Sequence, residues 1–260
     1  MQLDHTRIVV RERNYLEILD LALRVVRSFA GPLTLSAAAG ILPMVAVNAW
    51  LAARWGRDAV ALDVPVKPIL LTALLTLLEA PLATAGVTLY LGAAVFAERP
   101  SARQLAAKFL RRLPQLAWYQ VLFRFWYSRW TYLGEVILLE ENPWRTGSIK
   151  EQSSRTRAAV LHRGTFADLL ARTLFSFLLG LLLGVAMWWS VYYVMAVLLS
   201  HWEWDPAMFA VAFPAVFWIV VAFFAVVRFL SYLDLRIRRE GWEVELLLRA
   251  ELDRLRRSQA

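Results

Sequence analysis

Four stretches of this chain, residues 33–51, 68–96, 169–200 and 208–230, are apolar over the length that a membrane crossing requires. A helix rises about 1.5 Å per residue, so roughly 20 apolar residues traverse the ~30 Å hydrocarbon core of a bilayer. Composition agrees: 59% of the 260 residues are hydrophobic, whereas soluble domains average roughly 45–50%. A soluble fold of this length could not hide that much apolar surface, but lipid solvates it. The 12 Trp and 8 Tyr suit the same environment, because both side chains favour the headgroup level. The expected fold is all-α, a polytopic transmembrane helical bundle forming one integral membrane domain over 1–260.

Charge sets the expected topology. The net charge is +8, and the basic residues flank apolar runs without forming one continuous face, which argues for cytoplasmic retention and anionic lipid headgroups and against nucleic acid. Residues 1–31, 97–112, 142–172 and 228–260 are rich in Lys and Arg, while 201–205 has none. The positive-inside rule puts those four basic segments in the cytoplasm, with both termini, and points to a bacterial inner membrane. Residues 1–30 lack a continuous apolar core, so the first span is expected to act as its own uncleaved insertion signal. Stretch 113–140 then has cytoplasm on both sides. It is read as a re-entrant helical hairpin turning near Tyr127-Ser128-Arg129, beside four full spans.

Amphipathic interfacial helices are expected at both ends. Residues 14–29 place Tyr15, Ile18, Ala22, Val25 and Phe29 on one stripe, with Asn14 and Glu17 in capping-box register and Asp20–Arg24 an i,i+4 pair. Gly31-Pro32 is read as the break before the first span. In the tail, 236–257, Val244, Leu248, Leu252 and Leu255 make a second stripe. Ser101 with Gln104, Ser148 with Glu151 and Thr165 with Asp168 are further helix starts. Segment 142–164 is read as polar and cytoplasmic, with His162 solvated among its arginines.

Chemistry is sparse. With no Cys, disulfides, thiolate catalysis and Cys-based metal sites are excluded. There is no HExxH, GxSxG or Gly-rich phosphate loop, so no catalytic, cofactor or metal residues are assigned. The candidate intramembrane polar cluster is Glu79, Arg124, Arg129 and Glu135. A carboxylate at mid-depth is costly unless protonated or paired. Glu79, two residues before Pro81, is therefore either a proton or cation site or the partner of Arg124 or Arg129, while Glu135 is expected to pair with a nearby Arg. Gly180 and Gly184 have the GxxxG spacing that lets helices approach closely. Arg155, Arg157, Arg163, Arg236, Arg238 and Arg239 are candidate contacts to lipid or to a protein partner.

Three segments resemble the glycerophosphodiester phosphodiesterase membrane-domain family. They are Asn14-Tyr-Leu-Glu-Ile-Leu-Asp-Leu-Ala-Leu-Arg24 followed by Gly31-Pro32, Glu135-Val-Ile-Leu-Leu-Glu140, and Tyr232-Leu-Asp-Leu-Arg-Ile-Arg-Arg-Glu-Gly241. The resemblance implies a helical bundle with an accessory role and brings no catalytic residues. The chain departs from that pattern at Phe123-Arg-Phe-Trp-Tyr-Ser-Arg-Trp130. The resulting expectation is a non-enzymatic accessory or scaffold subunit that presents basic cytoplasmic segments to a partner. The alternative is a transporter or permease subunit using the intramembrane Glu/Arg cluster.

Overall fold

The computed structural model describes residues 12–55, 66–95, 100–122, 130–143, 153–198, 200 and 211–241. They form an all-α, four-span membrane bundle. The elements in chain order are α1 (Tyr15–Ser28), α2 (Ala30–Trp55), α3 (Val66–Ala83), α4 (Ala85–Val95), α5 (Ala102–Ala117), α6 (Leu133–Leu139), α7 (Ser154–Leu161), α8 (Phe166–Leu198) and α9 (Phe213–Glu240). The membrane-crossing windows are Ala30–Leu51, Leu70–Val95, Phe166–Leu198 and Phe213–Glu240.

Two antiparallel pairs make the bundle. Along α2, Ser36, Gly40 and Asn48 meet Gly86, Ala83 and Glu79 in turn, so α2 and the α3–α4 arm run in opposite directions. Along α8, Arg172, Gly180 and Trp188 meet Asp234, Phe224 and Phe213. Helix α6 ties the pairs together. Its Leu139 lies against Gly92 of α4, while Glu135 and Glu140 reach Arg228 and Tyr232 of α9. The C-terminal ends of α2 and α8 therefore lie at one end of the bundle, called here the loop end. Helices α1, α5, α6 and α7 gather at the other.

Several boundaries differ from those expected. Gly31-Pro32 does not break the chain. Both sit in the first turn of α2, where proline's missing N–H is not needed. The break is one step earlier at Phe29, whose N–H still bonds Val25 O at 2.9 Å. The second span is interrupted at Thr84, three residues after Pro81, where Thr84 N–H and Oγ1 both donate to Ala80 O. The last span runs on through Arg236 and Arg239 to Glu240 and stops at Gly241, whose left-handed φ of 65° ends the helix.

The stripe of α1 faces protein. Ile18, Ala22 and Val25 are buried in the main core with Val226, Phe229, Leu230 and Leu233 of α9. The reason is local: the Asn14–Glu17 capping box starts α1 as expected, and Asp234 of α9 accepts the Arg13 N–H at 2.8 Å. The Asp20–Arg24 pair forms on the outer face at 2.7 Å. Ser101 and Gln104 likewise form a capping box at the start of α5. Thr165 does not cap α8 with its hydroxyl, which donates to His162 O.

Stretch 113–140 is divided. Its first part belongs to α5 and to a π-helical turn at Trp118–Leu122, and its last part is α6. The turn expected at 127–129 and both Arg124 and Arg129 lie outside the described residues, as do Ser148–Glu151 and the tail beyond 241. The part of 142–164 that is described is not a solvated strap. Ser154, Ala158, Leu161 and His162 of α7 and its following turn are buried.

Candidate functional site

Several charged side chains at the end opposite the loops pair across helices that are far apart in sequence, and others pair one turn apart on the same helix. Helix α9 carries the sequence Arg228-Phe-Leu-Ser-Tyr-Leu-Asp-Leu-Arg236, and its i, i+4, i+8 periodicity aligns Arg228, Tyr232 and Arg236 on one face. Arg228 lies 15 residues past Phe213, or about 22 Å along the axis, inside a ~30 Å hydrocarbon slab measured from the loop end. Its guanidinium grips Glu135 with two bonds, Nε to Oε1 at 3.0 Å and Nη2 to Oε2 at 2.9 Å. Nη2 also donates to Thr131 O at 3.0 Å. Glu135 is 5% exposed in this pair and Arg228 34%. The fork of Arg fits a carboxylate in two parallel bonds, and such charge-assisted pairs are the strongest side-chain hydrogen bonds.

About six residues further along, Asp234 collects three donors: Arg172 Nη1 at 3.0 Å, Arg238 Nη2 at 3.0 Å and the Arg13 backbone N–H. Arg172 reaches Asp168 as well, at 3.1 Å. One carboxylate thus joins the segment leading into α1, the start of α8 and the end of α9. Beyond it lies a third cluster. Glu140 accepts from Arg157 Nε at 2.6 Å and from the Tyr232 hydroxyl at 2.8 Å, and Glu240 accepts from Arg236 and Arg157. Burial pulls the Arg157 guanidinium down, and the two carboxylates more than reverse it, leaving it above its ordinary value.

Between these clusters, His162 is buried against Tyr132. The Tyr132 N–H donates to Nε2 at 3.2 Å, so Nδ1 carries the proton and donates to Ala158 O at 2.7 Å. This neutral imidazole cannot take a second proton without pointing it at a backbone N–H. Burial pushes its pKa below the ordinary histidine value, against the pull of the Ala158 bond and the charge of Glu135. The Tyr132 hydroxyl, also buried, is pushed above the ordinary phenol range. The expectation of a solvated His162 is corrected here. Spacing from Arg163 gave it a polar neighbourhood, but the α7 turn folds it inward.

Of the other sequence candidates, Glu79 bonds Asn48 Nδ2 at 2.9 Å. Its expected partners Arg124 and Arg129 lie outside the described residues. Gly180 lies against α9, where an added Cβ would sit 3.1 Å from Phe224, whereas at Gly184 it would meet nothing within 4 Å. Arg157, Arg236 and Arg238, expected on a partner, are engaged within the chain. Arg239 donates to Arg163 O, and Arg155 lies over Trp130 at 6.0 Å. Arg228, Asp234, Arg172 and Asn48 are among the participants that the sequence did not single out. For Arg228 the available signal was a lone Arg within an apolar run.

The chain matches no protein-family model, no characterised protein and no solved structure. What the structure shows is a polytopic helical membrane protein with an intramembrane Arg/Glu salt-bridge network. Among the described residues, no group of three or more His, Cys, Asp or Glu is placed to hold a metal ion.

Proposed function

We propose that this chain is a non-catalytic, membrane-spanning subunit of a transporter or permease, with the Glu135–Arg228 pair as its working element. The observation that carries the reading is that bidentate pair at depth. Stability is a poor reason to keep it, because apolar replacements of buried ion pairs are often neutral or stabilising. Ionisable residues within spans are instead the usual marks of ion and substrate pathways. A guanidinium at this position is a fixed cation shaped for carboxylate or phosphate. Protonating Glu135, or replacing it with a substrate anion, releases Arg228 from its partner and gives the site two states. The orientation that goes with this reading has both termini in the cytoplasm of a bacterial inner membrane. The hairpin at 113–140 then dips toward the pair from the cytoplasmic side.

The scaffold reading keeps one supporting observation. Arg103 and Arg111 are exposed on the outer face of α5, while Leu105 and Phe109 pack inward, a surface suited to anionic headgroups or an acidic partner. It loses support at α7 and the end of α9, where Arg157, Arg236 and Arg238 are held internally. Kinship with the phosphodiesterase membrane-domain family belongs with this second reading.

The test is flux of small organic anions into proteoliposomes carrying the purified chain with whatever subunits co-purify. Glu135→Gln and Arg228→Met are expected to abolish flux in protein that still elutes as a folded species. Full flux in both folded variants would refute the reading. Orientation is tested separately in this Cys-free chain: Ser101→Cys is expected to label from the cytoplasm and Ser200→Cys from outside.

A further inference from the structure

Away from the Arg/Glu network, the interface of α2 with α3 contains polar groups that packing does not account for. Asn48 is 7% exposed, and its amide donates to Glu79. Its Oδ1 is buried without a donor, and so is Oγ1 of Thr76, a fully buried residue. Thr72, Thr76 and Glu79 are spaced by four and three residues, on one face of α3. A buried polar atom without a partner costs about 1–3 kcal/mol. Here two such oxygens belong to the residues flanking a partly exposed carboxylate at membrane depth, for which the described residues supply a single neutral N–H.

We propose that Glu79, Asn48 and Thr76 bind one small monovalent cation of the sodium type. The donor set is carboxylate, amide carbonyl and hydroxyl, all hard oxygens that suit hard cations. One carboxylate balances one positive charge. A calcium-like ion would need six to eight oxygens, several of them carboxylates, and α2 and α3 offer a single acid at this level. The interface is also closed at the end away from the loops. Thr72 continues the polar face toward the loop end. In the opposite direction a Cβ on Gly40 would collide with Ala83 O, and one on Gly86 would lie 3.0 Å from Ser36 O. Backbone against backbone leaves no path there, so the ion exchanges with the loop-end solution.

Binding stands on this geometry alone, while a role for the ion in driving transport rests on the function proposed above. The full chain in zwitterionic nanodiscs is melted in sodium chloride and in choline chloride at equal ionic strength, with radioactive sodium binding measured in parallel. Sodium is expected to raise the melting temperature of the wild type and choline is not. Thr76→Val, which keeps the volume and removes an unpartnered oxygen, is expected to weaken sodium binding about tenfold, and Glu79→Gln to abolish it. Sodium-indifferent melting without sodium binding overturns the proposal. So does melting that follows pH alone, which assigns Glu79 to a proton. If Glu79→Gln does not fold, the wild-type titration and Thr76→Val decide. Sodium binding that persists while Glu135→Gln and Arg228→Met retain flux leaves the site standing and removes the transport reading. Lost sodium binding with flux sensitive to those variants does the reverse.

Discussion

Removing one member of the Glu135–Arg228 pair should cost far more than removing both. In Arg228→Met, Glu135 loses two charge-assisted bonds and stays buried. In Glu135→Leu, the guanidinium keeps only Thr131 O. Each such bond contributes about 1.5–3 kcal/mol, and breaking a buried pair from one side costs about 3–5 kcal/mol, so the two routes to the magnitude agree. In Glu135→Leu/Arg228→Met both charges go, apolar volume takes their place, and the expected stability lies within about 2 kcal/mol of wild type. The coupling energy is then several kcal/mol, larger than most contacting pairs show. The assay is unfolding in mixed micelles by SDS titration, followed by Trp fluorescence and circular dichroism. Single variants that each lose under about 1 kcal/mol, or a double variant that loses the sum of the singles, refute the reasoning. The double variant should also fold without restoring anion flux, which separates the pair's structural contribution from its working one.

Gly40→Ala is expected to lower folded yield sharply, since its Cβ has only the rigid Ala83 carbonyl to displace; size-exclusion of detergent extracts checks this. Gly180→Ala meets the end of the Phe224 ring and should cost about 1 kcal/mol, while Gly184→Ala should cost nothing measurable. Because His162 is buried neutral with a lowered pKa, its contribution to stability is full above the unfolded value of about 6.5. It is lost as pH falls through the folded value, and thermal melts of His162→Gln should lack that acid-side decline. Asp234→Asn removes the charge opposite Arg172 and Arg238 and should cost about 3–5 kcal/mol. Hydrogen exchange should rise first in α1, whose lead-in Asp234 holds.

The spans, the even number of described crossings and two helix starts were legible in the sequence because each depends on local signals. Apolar length reports a crossing, and Asn14 with Glu17 or Ser101 with Gln104 reports a cap. Glu135 announced itself as a charge needing an Arg, yet its partner stands 93 positions away. Read locally, Arg228 was counted as flanking positive charge. Asp234 and Arg172 were hidden for the same reason: residues near a helix end look solvated until another helix covers them. The stripe on α1 was legible as a stripe, but lipid and protein are equally apolar neighbours, so periodicity could not tell which one it meets. Asn48 gave no signal, because an amide in an apolar run looks the same whether or not an acid faces it.

The position of α9 also bears on how the protein is made. It follows every other described helix in the chain, yet it carries Arg228, Asp234 and Ser231, the partners of Glu135, Arg172 and Tyr132, and half of the Glu140–Arg157 cluster. Domains are synthesised from the N-terminus at about 5–20 residues per second. For the seconds before α9 emerges, Glu135 waits without Arg228 and Arg172 holds only Asp168 of its own helix. The earlier spans therefore wait for the last one, and a ribosome stalled before residue 228 leaves a product whose Glu135 lacks Arg228, available to membrane quality control as a sign of incompleteness.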